Sequence, residues 1–145
     1  MVGHASVLIQ VAGQNILVDP VWSDRASPVR FAGPKRANAP GVEFDALPPI
    51  DVVLITHSHY DHLDPETLRR LWARDRPRII TALGTDAVIA RAVPECRAEA
   101  GDWGDRFSVA DDVAGSTPPT TGRRVEWATG GWRSGVGSSS RPVAR

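Results

Sequence analysis

Ile50-Asp51-Val52-Val53-Leu54-Ile55-Thr56-His57-Ser58-His59-Tyr60-Asp61-His62 runs a short apolar, β-branched stretch straight into a cluster of metal-ligating residue types. The apolar half reads as a buried strand. Three of the protein's four histidines then fall within six positions at that strand's end. His57 and His59, two apart just beyond a strand, can point to one side and present their imidazoles to one metal ion. Asp61 and His62 follow as the chain turns and can serve a second ion. Imidazole with carboxylate suits zinc, or iron or manganese where oxygen ligands dominate. One ion lowers the pKa of a bound water, whereas two hold the attacking and leaving oxygens of a displacement. The plainer alternative is a polar loop whose histidines are solvated or cap the next helix. That alternative fits one histidine better than this cluster.

Working outward, Val7-Leu8-Ile9-Gln10-Val11 and Asn15-Ile16-Leu17-Val18-Asp19 flank Gly13-Gln14 in a hairpin pattern. Asp19-Pro20 ends the second strand, because proline gives no ladder hydrogen bond and restricts the residue before it. Residues 20–49 carry six prolines and little periodicity, a loop long enough to be functional or disordered. Beyond the cluster, Asp64-Pro65-Glu66 has the chemistry of a helix start, with Leu68, Leu71 and Trp72 as the apolar face. Arg78–Thr81 reads as a strand, and Thr85–Val93 as a helix stopped by Pro94. Strand and helix alternate, so the expected class is α/β, a layered sheet covered by helices.

Seventeen basic and seventeen acidic residues leave no net charge over 145 residues, which argues against bulk capture of nucleic acid. No apolar run approaches a membrane span and no charged-then-apolar leader opens the chain, so at most peripheral membrane contact is expected. The single cysteine, Cys96, excludes an internal disulfide framework and fits a cytoplasmic location. The balance is uneven: residues 1–113 hold twelve basic and sixteen acidic groups, whereas 114–145 hold five and one. Eighteen of those last thirty-two residues are Gly, Ser, Thr or Pro, and none is Leu, Ile or Phe. The expected organisation is a domain over 1–113 and a disordered, basic Gly/Ser/Arg-rich tail over 114–145.

The His57–His62 hexad resembles the signature of the metallo-β-lactamase fold. Gly3-His4-Ala5-Ser6, Asp19-Pro20, Arg25-Ala26-Ser27-Pro28, Gly33-Pro34-Lys35-Arg36 and Leu47-Pro48-Pro49-Ile50-Asp51 look like the branch that holds N-acylphosphatidylethanolamine-hydrolysing phospholipase D. That branch sits beside the L-ascorbate-6-phosphate lactonases. The resemblance runs from about Val2 to about Val113. It implies the N-terminal part of an αββα sandwich, with zinc as cofactor and two ions in a complete site. It makes His57 and His59 ligands of one zinc, and Asp61 and His62 ligands of the other and the catalytic pair. The implied chemistry is hydrolysis of a phosphodiester by a metal-bound hydroxide, on a phospholipid or small-molecule substrate. Asp19 becomes a residue that orients the histidine loop from behind, against the alternative of a strand-end carboxylate capping a turn. His4 is either a further inner-site residue or a solvated histidine. Lys35 and Arg36 are either phosphate contacts or a solvated charge pair.

The resemblance also implies ligands that this chain does not show: a further histidine, a bridging aspartate and a last histidine. No histidine follows His62, and Asp102, Asp105, Asp111 and Asp112 do not match the bridging position. Reading the gene one base earlier from Thr120 to Pro142 permits HHWSARGVGDRRMALWGGFVIET, which looks like the family's next motif. A frameshift near Val113–Gly115 is therefore expected. The rival readings are a truncated or relict product with weak or no metal binding, a lactonase-like hydrolase of the same fold, and a basic tail acting as an arm for anionic partners.

Overall fold

The computed structural model describes residues 1–27 and 33–109, together with the backbone of Glu126–Ala128. Strands β1 (Val7–Val11) and β2 (Gln14–Val18) form an antiparallel hairpin, with Val7 opposite Val18 and Val11 opposite Gln14. The two-residue turn between them has Ala12 at φ 51 and Gly13 at φ 81. Positive φ at both central positions matches the right-handed twist of the strands, and Gly13 adopts it without a Cβ penalty.

Three further strands, β3 (Val52–Ile55), β4 (Arg78–Ala82) and β5 (Ala98–Gly101), add in parallel to give the order β1-β2-β3-β4-β5. Parallel neighbours need crossovers. Helix α1 (Pro65–Asp75) supplies the one between β3 and β4, and α2 (Thr85–Ala92) the one between β4 and β5. Adjacent residues on a strand face opposite sides of the sheet, and here both sides are buried. Leu17, Val53, Ile55 and Ile79 pack with Leu63, Leu68, Leu71 and Ile89 in one core. Ile16, Val52 and Ile80 pack with Val109 in a second core, against which Phe107 rests. The arrangement is the layered α/β sheet expected from the alternation of strand and helix.

Three strands lay outside the sequence expectation. Strand β5 reads Ala98-Glu99-Ala100-Gly101, without β-branched residues, and exists because β4 offers it a ladder. Its Gly101 passes so close to the Phe107 ring that a Cβ there would lie 2.6 Å from ring carbons. Strand β6 (Arg106–Ser108) pairs antiparallel with β7 (Glu126–Ala128). Strand β7 falls within the 114–145 segment. The rest of that tail, and the proposed frame change at Val113–Gly115, lie outside the described residues.

Parallel order puts the C-terminal ends of β2, β3, β4 and β5 along one edge of the sheet. The hexad leaves β3 at that edge, beside Asp19 at the end of β2.

Candidate metal centre

Asp19 has φ 43, a left-handed conformation that aspartate tolerates better than most residues. Its carboxylate is buried, with the residue 3 % exposed. Oδ1 accepts the Thr56 backbone N–H at 2.8 Å, and Oδ2 accepts the Thr56 hydroxyl at 2.7 Å. His62 Nδ1 lies 2.8 Å from the same Oδ2. The Asp19 backbone is fixed in turn, its N–H bonding Leu54 O at 2.9 Å and its carbonyl accepting the hydroxyl of fully buried Ser6 at 2.7 Å. A buried carboxylate held this firmly is an anchor for the loop that follows β3.

The loop itself is a tight turn in which the N–H groups of His62 and Leu63 both bond the His59 carbonyl. It gathers the imidazoles: the His57 ring centroid is 4.7 Å from that of His59 and 4.0 Å from that of His62. His57 Nδ1 lies 2.9 Å from Thr56 Oγ1. Asp61 Oδ2 lies 3.6 Å from His62 Nε2 and 3.9 Å from His4 Nε2. The six residues expected at the site, His4, Asp19, His57, His59, Asp61 and His62, therefore form one neighbourhood.

The donor chemistry, imidazole and carboxylate, suits zinc, or iron or manganese. The positions are less complete. Among the described residues, no group of three or more His, Cys, Asp or Glu is gathered so as to hold one ion.

Lys35 and Arg36 have different surroundings. The Arg36 guanidinium donates to the carbonyls of Val21 at 2.9 Å and Ser23 at 3.1 Å. Its backbone N–H bonds Asp24 O at 2.8 Å. It fastens its own loop, leaving Lys35 as the exposed cation of the pair. Both line a cavity of about 930 Å³ with His4, His59, Tyr60 and Asp61.

Asp64, whose role in the site was missed in the sequence, joins this loop to α1. Its carboxylate caps the helix by accepting the N–H groups of Glu66 and Thr67. It also accepts the N–H groups of Trp22 at 3.2 Å and Ser23 at 2.9 Å. A cap was legible in Asp64-Pro65-Glu66, but its reach across forty-odd residues was not. Thr56 and Ser6 were missed likewise, since single hydroxyls carry no spacing signal.

The beta-lactamase superfamily domain model matches residues 14–135. An uncharacterized protein of Mycobacterium tuberculosis is 41 % identical over 108 residues, covering 74 % of this chain and 29 % of that protein. The N-acyl-phosphatidylethanolamine-hydrolyzing phospholipase D 1 of Caenorhabditis elegans is 46 % identical over 69 residues, 48 % of this chain and 19 % of that protein. The chain thus spans under a third of the length of these curated relatives. Among solved structures, Igni18, a metallo hydrolase from the archaeon Ignicoccus hospitalis, superposes with a TM-score of 0.53 at 17 % identity, over 77 % of this chain and 42 % of that one. That likeness concerns the fold.

Proposed function

Because the chain belongs to the beta-lactamase superfamily domain family, a family of metal-dependent hydrolase fold, we propose that it is the N-terminal part of a zinc-dependent phosphodiesterase. The proposed reaction is of the N-acylphosphatidylethanolamine phospholipase D type: water adds to phosphorus, and the bond from phosphorus to the ethanolamine oxygen breaks. The observation that carries this reading is Asp19, buried behind the hexad and bonded to Thr56 and His62. Nothing in a solvated or helix-capping histidine loop calls for a buried carboxylate behind it.

His57 and His59 are the proposed ligands of one zinc, and Asp61 and His62 those of the other. Zinc, when bound, supplies Lewis acidity toward a phosphoryl oxygen and an acidified water. The chain's own residues do the rest. Asp19 orients His62, and His4 approaches Asp61 from the cavity side. Lys35 offers its ammonium to an anionic group in the cavity, whose walls include Val2, Val21, Ala26, Pro34 and Ala37. Apolar walls with the Lys35 ammonium and a ligating edge suit an amphiphilic phosphate ester. Among the described residues no helix is long and apolar enough to cross a membrane. A second reading, a non-catalytic chain, is favoured by the lack of three donors gathered at one point among the described residues.

One experiment separates the two. The gene is expressed as it stands and with one base added, or two removed, near the codons for Val113–Gly115. Each product is given zinc and vesicles containing N-acylphosphatidylethanolamine. Release of phosphatidic acid by the repaired product, lost in His59→Ala, is the expected result. No release by the repaired product despite bound zinc would overturn the phosphodiesterase reading.

A further inference from the structure

We infer that the Thr56 hydroxyl is a positioning group that fixes which nitrogen of His57 carries its proton, so that one carboxylate, Asp19, sets the tautomers of two imidazoles. The use of this device rests on the metal reading above; the device itself does not. The argument begins at Asp19 Oδ2, since an ionised carboxylate can only accept hydrogen bonds. Thr56 Oγ1 lies 2.7 Å from it, an oxygen–oxygen approach that requires a proton between them. Only the hydroxyl can supply that proton. With its hydrogen committed, Oγ1 has only lone pairs left for His57 Nδ1, 2.9 Å away. His57 must therefore carry its proton on Nδ1 and a lone pair on Nε2.

His62 reaches the same state by a shorter path. Its Nδ1, 2.8 Å from Asp19 Oδ2, donates directly, which leaves Nε2 with the lone pair. The two ring centroids are 4.0 Å apart with the planes inclined by 43°, and both rings then present unprotonated Nε2 atoms. An imidazole in the other tautomer must move its proton before that nitrogen can ligate. Thr56 removes this requirement for His57, as the carboxylate alone does for His62. The Thr56 N–H on Oδ1 holds the hydroxyl in place, so the same residue bonds both oxygens of Asp19.

The test is long-range proton–nitrogen NMR on the ¹⁵N-labelled, metal-free full chain, at a pH where the four imidazoles are neutral. His57 and His62 are expected with the proton on Nδ1. His4, whose side chain is 73 % exposed, is expected to show the mixed pattern of a solvated ring. Thr56→Val keeps the shape of the side chain and deletes the hydroxyl; it should move the His57 proton to Nε2 and leave His62 unchanged. Thr56→Ser should restore the original pattern. A wild-type His57 protonated at Nε2 would overturn the inference, as would a His57 pattern that Thr56→Val does not move. A change of all rings together would overturn it too, since that marks general disruption. If the valine variant does not fold, the wild-type and serine spectra decide. No zinc or substrate enters the experiment, so its failure leaves the hydrolase reading standing, and failure of hydrolysis leaves this inference standing.

Discussion

Lys35 and Arg36 are neighbours in sequence and opposites in use. Both invite the same reading in a sequence, as a basic pair beside a candidate phosphate site, because a charge says nothing about what its donors meet. The Arg36 fork meets the carbonyls of Val21 and Ser23, so Arg36→Ala leaves two carbonyls without their charged donor and should cost about 2 kcal/mol. Lys35→Ala should stay within about 0.5 kcal/mol of the parent. Urea unfolding of the two variants checks the contrast, and equal losses would show that the assignment of roles is wrong. Cys96 is a second residue whose surroundings, unlike its identity, were not legible. Burial, reinforced by Glu95, pushes its thiol from an ordinary 9.0 up to about 11. A folded-state pKa raised in this way gives stability that is present below pH 9 and lost as pH rises toward 11. Unfolding free energy should therefore fall across that window, and Cys96→Ala should lack that component.

Among the elements, legibility followed the strength of the local pattern. The hairpin of β1 and β2, strand β3, helix α1 from its Asp64 cap, β4 and α2 each carry a periodic apolar pattern or a stop signal, and each was readable to within a few residues. Strand β5 was not, because Ala98-Glu99-Ala100-Gly101 has no β-forming side chains and depends on a tertiary partner. Loop 20–49 was readable only as a loop. Distant fasteners hold its described parts: the Asp64 carboxylate on Trp22 and Ser23, Arg36 on Val21 and Ser23, and Gly33 at φ 95 against Ser27. Asp64 is at once a helix cap and the tie between α1 and a wall of the cavity. Asp64→Ala should then cost more than an ordinary cap, about 2–4 kcal/mol against the usual 0.5–2. Asp64→Asn should recover part of this. Hydrogen exchange gives the distinguishing signature: the amides of Trp22 and Ser23 should lose protection together with those of Glu66 and Thr67. If only the helix amides respond, Asp64 is a cap and nothing more.

For the whole molecule, what the sheet does for the site can be stated in terms of strand direction. Parallel strands bring Asp19 and the hexad to one edge, and the two cores on either face of β2, β3 and β4 keep that edge rigid. A complete dinuclear site needs donors from more than one such edge, and among the described residues no three donors are gathered at one point. The family match nevertheless continues past Val113 to residue 135, and the chain spans 29 % of its mycobacterial relative. Metal content tests how much of the site this chain carries. A site with fewer than three gathered donors leaves most coordination positions to water, so affinity depends on how well the loop is held. Elemental analysis after dialysis should find well under two zinc ions per chain. His59→Ala should lower that figure by removing a ligand outright. Asp19→Ala should lower it without touching a ligand, because it releases the loop and both imidazole tautomers at once. Two tightly held ions in the parent chain would show that donors beyond His57, His59, Asp61 and His62 complete the site. Unchanged zinc in Asp19→Ala would show that the buried carboxylate supports the strand ends alone.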